Sequence, residues 1–101
     1  METYKKVVAF LKSRVVPHHD VSVRRVRLNE RLDGDCRPHK GGFLIRINRS
    51  LPEHEAIETV LHETAHVLAW ELCGDDEHCD QWGLAYSRVY RAFLKEFFTK
   101  E

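Results

Sequence analysis

The sequence has 101 residues, 43% of them hydrophobic and 32% charged, with equal numbers of basic and acidic side chains. That is the size of one small domain with a single core, and one α+β domain over residues 1–101 is expected. No apolar run approaches the roughly 20 residues of a membrane span, and the neutral total argues against strong non-specific binding to nucleic acid.

The opening "METYKKVVAFLKSR" mixes charged and apolar residues and does not read as an export signal, so a cytoplasmic protein without a membrane partner is expected, most simply a monomer. Tyr4, Val7, Val8, Leu11 and Val15 recur at helical spacing, and Pro17 closes this first helix. "VSVRRVRL" (21–28) is rich in β-branched residues, but its apolar step from Val23 to Val26 is three rather than two. A β-bulge near Arg24 and Arg25 would restore the inward phase.

"NERLDGDCRPHKGG" (29–42) is dense in turn formers and reads as an irregular connection with room for a short strand. "FLIRIN" (43–48) alternates cleanly, with Phe43, Ile45 and Ile47 toward the core and Leu44, Arg46 and Asn48 away from it. A long helix follows, started by Pro52 and the acidic Glu53 and Glu55 and stopped by a left-handed Gly74, with Ile57, Val60, Leu61, Ala65, Leu68 and Leu72 as its apolar stripe. The last helix runs from Asp80 toward Phe98 with Trp82, Ala85, Val89, Phe93 and Phe97 on one side.

The charge is unevenly spread. Residues 1–50 carry 12 basic against 5 acidic side chains, and residues 51–101 carry 4 against 11. The simplest expectation is attraction between the halves inside one domain. The alternative is a basic face built from Arg24, Arg25, Arg27, Arg37, Lys40, Arg46 and Arg49 for nucleic acid or an acidic partner. The three cysteines, Cys36, Cys73 and Cys79, are odd in number and show no disulfide-like spacing, so they are read as reduced.

Chemistry concentrates in "LHETAHVLAW" (61–70). His62 and His66 are four apart, one turn above each other on a helix and roughly 100–150° away from the apolar stripe, where two imidazoles can reach one ion. Glu63 is badly placed to bind that ion but can reach a water beside it, as general acid/base. In a chain with 7 histidines the pattern arises by chance in on the order of a few per cent of shuffled sequences, so a third ligand matters. Gly74 lets the chain turn back and return His78 to the pair; Cys79 and Asp80 are also within reach, whereas Cys73 lies two turns beyond His66 and Glu96 lies near the end of the last helix.

The run "HETAH", the histidine twelve residues further on and "WGLAYSRVYRAF" resemble the SprT-like zinc metallopeptidases in their minimal phage and bacterial form, and "FLIRINRSL" resembles the strand before their active-site helix. The likeness covers roughly residues 43–94. It implies a zincin-like fold in which an N-terminal helix and a small antiparallel sheet of about three strands accompany the HExxH helix and a C-terminal helix. It further implies one Zn2+ ion on His62, His66 and His78, Glu63 as catalytic acid/base, and a polypeptide substrate. Two features differ from the family's pattern: Cys79 stands where glycine often follows the third histidine, and the sequence contains no four-cysteine zinc ribbon.

Around this centre, Trp70 and Trp82 are expected to pack, Asp75, Asp76 and Glu77 to form a solvated acidic turn, and Tyr86 and Tyr90 to pack rather than donate to an oxyanion. The strand "FLIRIN" is the expected edge on which an extended substrate would lie. The alternative to a peptidase is a zinc-stabilised binding module closed by a fourth protein ligand such as Cys79 or Asp80.

Overall fold

A computed structural model describes residues 1–74 and 76–98. The chain runs through helix α1 (Glu2–Phe10), a π-helical extension (Leu11–Val15), strands β1 (Val21–Val26), β2 (Gly34–His39) and β3 (Gly42–Asn48), and helices α2 (Glu53–Cys73) and α3 (Asp80–Phe98). This is the α+β layout expected from the sequence.

The sheet differs from expectation in its directions. Its order is β1-β3-β2, with β1 parallel and β2 antiparallel to β3, so it is mixed rather than antiparallel. Residues 27–33 carry the chain from β1 past an empty position before β2 begins. A two-residue turn at Lys40 and Gly41, both at positive φ, then folds β3 back into the gap. "FLIRIN" is therefore the central strand. Its place at the edge is taken by β2, where Pro38, which lacks an N–H, is tolerated.

The bulge expected in β1 does not form either. Val21 to Val26 pair without interruption with Phe43 to Asn48, which leaves Arg25 pointing inward and Val26 outward. The inward Arg25 places its guanidinium 5.2 Å from the Tyr4 ring centre and donates from Nη2 to the carbonyl oxygens of Arg49 and Leu51. A cation on an aromatic face with two carbonyl acceptors replaces the apolar residue that the alternation would have placed there.

Helix α2 lies across the inner sheet face and packs against α1 and α3, so that Ala56, Val60, Leu61, Ala65, Val67 and Ala69 are all buried. It is enclosed over more of its circumference than a single stripe, while Leu72, placed in the stripe from sequence, is 65% exposed near the helix end. The backbone amide of Tyr4 donates to Glu53 Oε2 at 2.9 Å, fastening the start of α1 to the start of α2. On α3, Phe93 and Phe97 join Phe10 of α1 through ring contacts at 5.4 and 5.8 Å.

The outer sheet face carries Arg24 and Arg46, paired in register, and Arg37 on β2. Arg46 and Arg37 both bind Asp35, and the hydrogen bonds from Arg46, against the effect of burial, hold that carboxyl below its usual range. Every ion pair within 4 Å among the described residues lies inside its own half of the sequence, and the carboxylate of Glu53 reaches across the halves to the Tyr4 amide. None of the described helices is long and apolar enough to cross a membrane.

Buried Asn48 organises the 27–33 connection, which leads into the rim of the site. Its Nδ2 donates to the carbonyl oxygens of Asn29 (3.2 Å) and Leu32 (3.0 Å), and its Oδ1 accepts from Ser50 N (3.1 Å) and Oγ (3.0 Å). Asn48→Ala is expected to lower stability by about 2 kcal/mol or more in urea unfolding, because carbonyls are left without donors in a buried place. Ser50→Ala, which removes one of these bonds at an exposed position, should cost under about 1 kcal/mol; equal losses in the two variants would contradict this role.

Candidate metal centre

His62 and His66 leave α2 one turn apart, as the four-residue spacing requires, with ring centres 5.1 Å apart. At the helix end Gly74 takes φ 59 and ψ −124, a positive-φ conformation that a side chain would disfavour, although not the left-handed helical cap expected. The turn beyond it returns the chain. Asp76 N donates to Cys73 O at 3.1 Å and His78 N donates to Asp76 Oδ1 at 3.3 Å, so Asp76 shapes the turn, while Asp75 lies outside the described residues.

The reversal brings His78 onto the pair. Its ring centre is 5.2 Å from that of His62 and 5.1 Å from that of His66, making a nearly equilateral triangle of imidazoles. One ligand atom from each ring falls within 4.8 Å of the others, and Nε2 of His78 stands 3.3 Å from Nε2 of His62. Two nitrogens bound tetrahedrally to zinc at its usual distances would lie about 3.3–3.4 Å apart. The cluster thus fits that ion.

The other candidates are not brought in. Among the described residues neither Asp80 nor Glu96 belongs to a metal-competent group. Cys79, expected to be reduced, is instead bonded to Cys73, with their Cα atoms 5.5 Å apart. The same turn at Gly74 that returns His78 brings the two Cα atoms into the normal range for a disulfide. The bonded sulfur has no thiolate to offer, which removes Cys79 as a closing fourth ligand.

Trp82, at the first turn of α3, lies against all three imidazoles, with ring centres 4.9, 5.4 and 4.5 Å from His62, His66 and His78. Tyr86 stacks on Trp82 at 5.2 Å, and Tyr90 donates its hydroxyl to Glu58 Oε1 at 3.2 Å. Trp70 borders the cleft and meets Phe43 edge-on at 5.5 Å. Both tryptophans therefore surround the site as expected.

Burial shifts the ionisable groups that α2 brings to the centre. It lowers the His62 pKa, with His78 adding to the effect, and it pulls His66 down to about 4, helped by the other two imidazoles. Neutral imidazole is the form that offers a lone pair to a metal. Glu63 is only 7% exposed, and burial, reinforced by the negative charges of Asp35 and Glu77, pushes its carboxyl up to about 7. A carboxyl poised there exchanges a proton readily at neutral pH.

The cleft over these groups is bordered by Gly34, Asp35 and Cys36 of β2 on one side and by Trp70, Glu77 and His78 on the other. Gly34 allows the edge strand to come this close. A Cβ there would stand 2.6 Å from the Arg46 carbonyl oxygen and 2.8 Å from a Thr59 methyl on α2. The short strand for which the 29–42 connection left room is thus β2, and its place as a wall of the site is what the sequence did not announce.

The sequence matches the SprT-like family over residues 2–99. The chain belongs to that family. No curated protein and no solved structure matches it. The match to the SprT-like family extends the likeness read from residues 43–94 across nearly the whole chain, and the three clustered histidines lie within it.

The raised Glu63 pKa has a definite sign for stability. The unfolded carboxyl releases its proton near 4.5, whereas the folded, metal-free protein keeps it to about 7, so the unfolded state binds fewer protons between those values. Stability conferred at that position therefore falls as pH rises through this window and is lowest above it. In metal-free protein, Glu63→Gln should exceed the parent in stability by about 1–3 kcal/mol at pH 8 and match it at pH 4, read by urea unfolding. The same difference at both pH values would contradict the assignment.

Proposed function

We propose that this SprT-like chain is a zinc metallopeptidase, with His62, His66 and His78 as the ligands of one Zn2+ ion and Glu63 as the general acid/base. The observation that carries the reading is the triangle of three imidazoles with a buried carboxyl on the residue next to one of them. Three nitrogen ligands leave a tetrahedral ion one open position, the arrangement of catalytic rather than structural zinc. When bound, zinc supplies Lewis-acid polarisation of the scissile carbonyl and acidifies water.

The chain's own residues supply the rest. Glu63 accepts the proton of the attacking water on a carboxylate oxygen and passes it to the nitrogen of the departing amine, ending as it began. Its raised pKa suits both halves of that transfer. Trp82 backs the imidazoles with an apolar surface and limits water from that side. β2 is hydrogen-bonded to β3 on one side only, and it borders the cleft, so its other edge can take an extended polypeptide by main-chain pairing. Edge pairing thus moves from "FLIRIN" to β2.

A second reading rests on the outer sheet face, where Arg24, Arg37 and Arg46 stand on three adjacent strands with Asp35 as their acidic neighbour. It adds a polyanion such as nucleic acid as a docking partner. Binding of single-stranded nucleic acid that weakens steeply with salt and is lost in Arg24→Glu would support this reading, and affinity indifferent to both would remove it.

For the principal reading, Glu63→Gln should retain one zinc per chain by elemental analysis while its cleavage of an unfolded protein substrate falls by about 10^2–10^4-fold. His78→Ala should lose most of its zinc. Glu63→Gln activity close to that of the parent would overturn the catalytic role, and full zinc in His78→Ala would overturn the ligand role.

A further inference from the structure

The bond between Cys73 and Cys79 plays no part in the chemistry above, yet its position is specific. Cys73 is the last residue of α2, and Cys79 lies between His78 and the first residue of α3. The bond closes a ring of backbone around Gly74 to His78, and within that ring His78 is the residue that joins the imidazole cluster. We infer that the Cys73–Cys79 disulfide is the positioning element of the third ligand, fixing the turn so that the His78 ring is held against His62 and His66 before a metal arrives. The inference rests on the reading of these three histidines as a ligand set.

The three ligands are unequally supported. His62 and His66 are carried by consecutive turns of a helix enclosed by the core, and their spacing is set by helical geometry. His78 is exposed on a turn that, among the described residues, is held by one backbone hydrogen bond at 3.1 Å and one to an Asp76 carboxylate at 3.3 Å, with the His78 ring resting on Trp82 of α3 at 4.5 Å. Two such bonds at the surface are weak restraints on a turn that begins at a positive-φ glycine. The covalent link supplies what they lack, because it ties the residue beside His78 to the last residue of the helix that carries the other two.

Apparent metal affinity falls in proportion to the fraction of time that a ligand set is assembled. Opening the ring releases the turn, and chain-entropy reasoning for a loop of this size sets a ceiling of about 50-fold on the loss. The packing of α3 on α2 remains as a tether, so the expected loss is on the order of 10-fold. The chain's own third thiol is a poor agent for opening the link. Cys36 is half-buried on β2, where burial pushes its pKa up to about 12, and the thiolate is the attacking form. The reductant must therefore come from outside.

The test uses the full chain with Cys36→Ser throughout, so that a single disulfide is present. A phosphine reductant opens it: the phosphine is oxidised to its oxide with oxygen from water, and two protein thiols form. Zinc affinity is measured by competition with a chromophoric chelator for oxidised protein, phosphine-treated protein and the Cys73→Ser/Cys79→Ser variant. Cobalt absorption and metal-free thermal unfolding are recorded for each. The expected result is zinc binding about 10-fold tighter in the oxidised protein than in the other two forms, which agree with each other. The intense visible bands of tetrahedral cobalt should weaken in both opened forms.

A lowered unfolding temperature with unchanged zinc affinity and unchanged cobalt bands would reduce the bond to a general staple and overturn the inference. So would a sulfur-to-cobalt charge-transfer band in the reduced protein with affinity preserved, since Cys79 or Cys73 would then be a ligand. Zinc binding absent from every form, including the oxidised one, would overturn the ligand reading itself together with this inference.

Discussion

Helix α2 packs on the sheet, on α3 and on α1, and the strip left between β2 and the start of α3 is where its chemistry must emerge. Ala56, Val60, Leu61, Ala65, Val67 and Ala69 fill the enclosed sides, so the helix cannot rotate without taking a row of apolar side chains into water. The two valines and the leucine are worth on the order of 1.5–3 kcal/mol of burial each and the alanines about 1 kcal/mol or less, which together hold the rotational setting of His62 and His66 firmly. The core thus aims the ligands.

The same enclosure places Glu63 where its charge is costly, and the cost is useful. A carboxyl on an exposed helix face would be ionised well below neutral pH and would be a weak proton donor to a departing amine. Wedged beside the core, with the negative charges of Asp35 and Glu77 adding to the effect of burial, Glu63 holds its proton to about 7. His62 and His66 respond to the burial in the opposite direction, toward the neutral form that offers a lone pair, so one environment favours a protonated carboxyl and uncharged imidazoles side by side. Trp82, in ring contact with all three histidines, makes that environment apolar on the α3 side.

How much of this was legible in the sequence follows from the range of the forces involved. The helical spacing of Tyr4, Val7 and Leu11, the alternation of "FLIRIN", and the four-residue step between His62 and His66 are local, and each was recovered in place. His78 was reachable because a glycine stop and the length of the turn are also local facts. Strand order was not, since nothing within β1 announces that its partner is β3 rather than the strand that follows it. β2 is a strand because β3 pairs with it, and "GDCRPH" has no propensity to advertise that. The uninterrupted register of β1 depends on Tyr4, some twenty residues away, whose ring accepts the inward Arg25. The disulfide needed the same reversal at Gly74 that delivered His78, so the two were one problem read as two.

The central claim is that three imidazoles assemble an open zinc site on a helix aimed by the core. X-ray absorption at the zinc edge of the loaded protein tests it most directly. The account predicts about four light-atom neighbours at 2.0–2.1 Å with the outer-shell pattern of three imidazoles and no scattering from sulfur. A sulfur shell near 2.3 Å, or an outer-shell pattern of only two imidazoles, would contradict it.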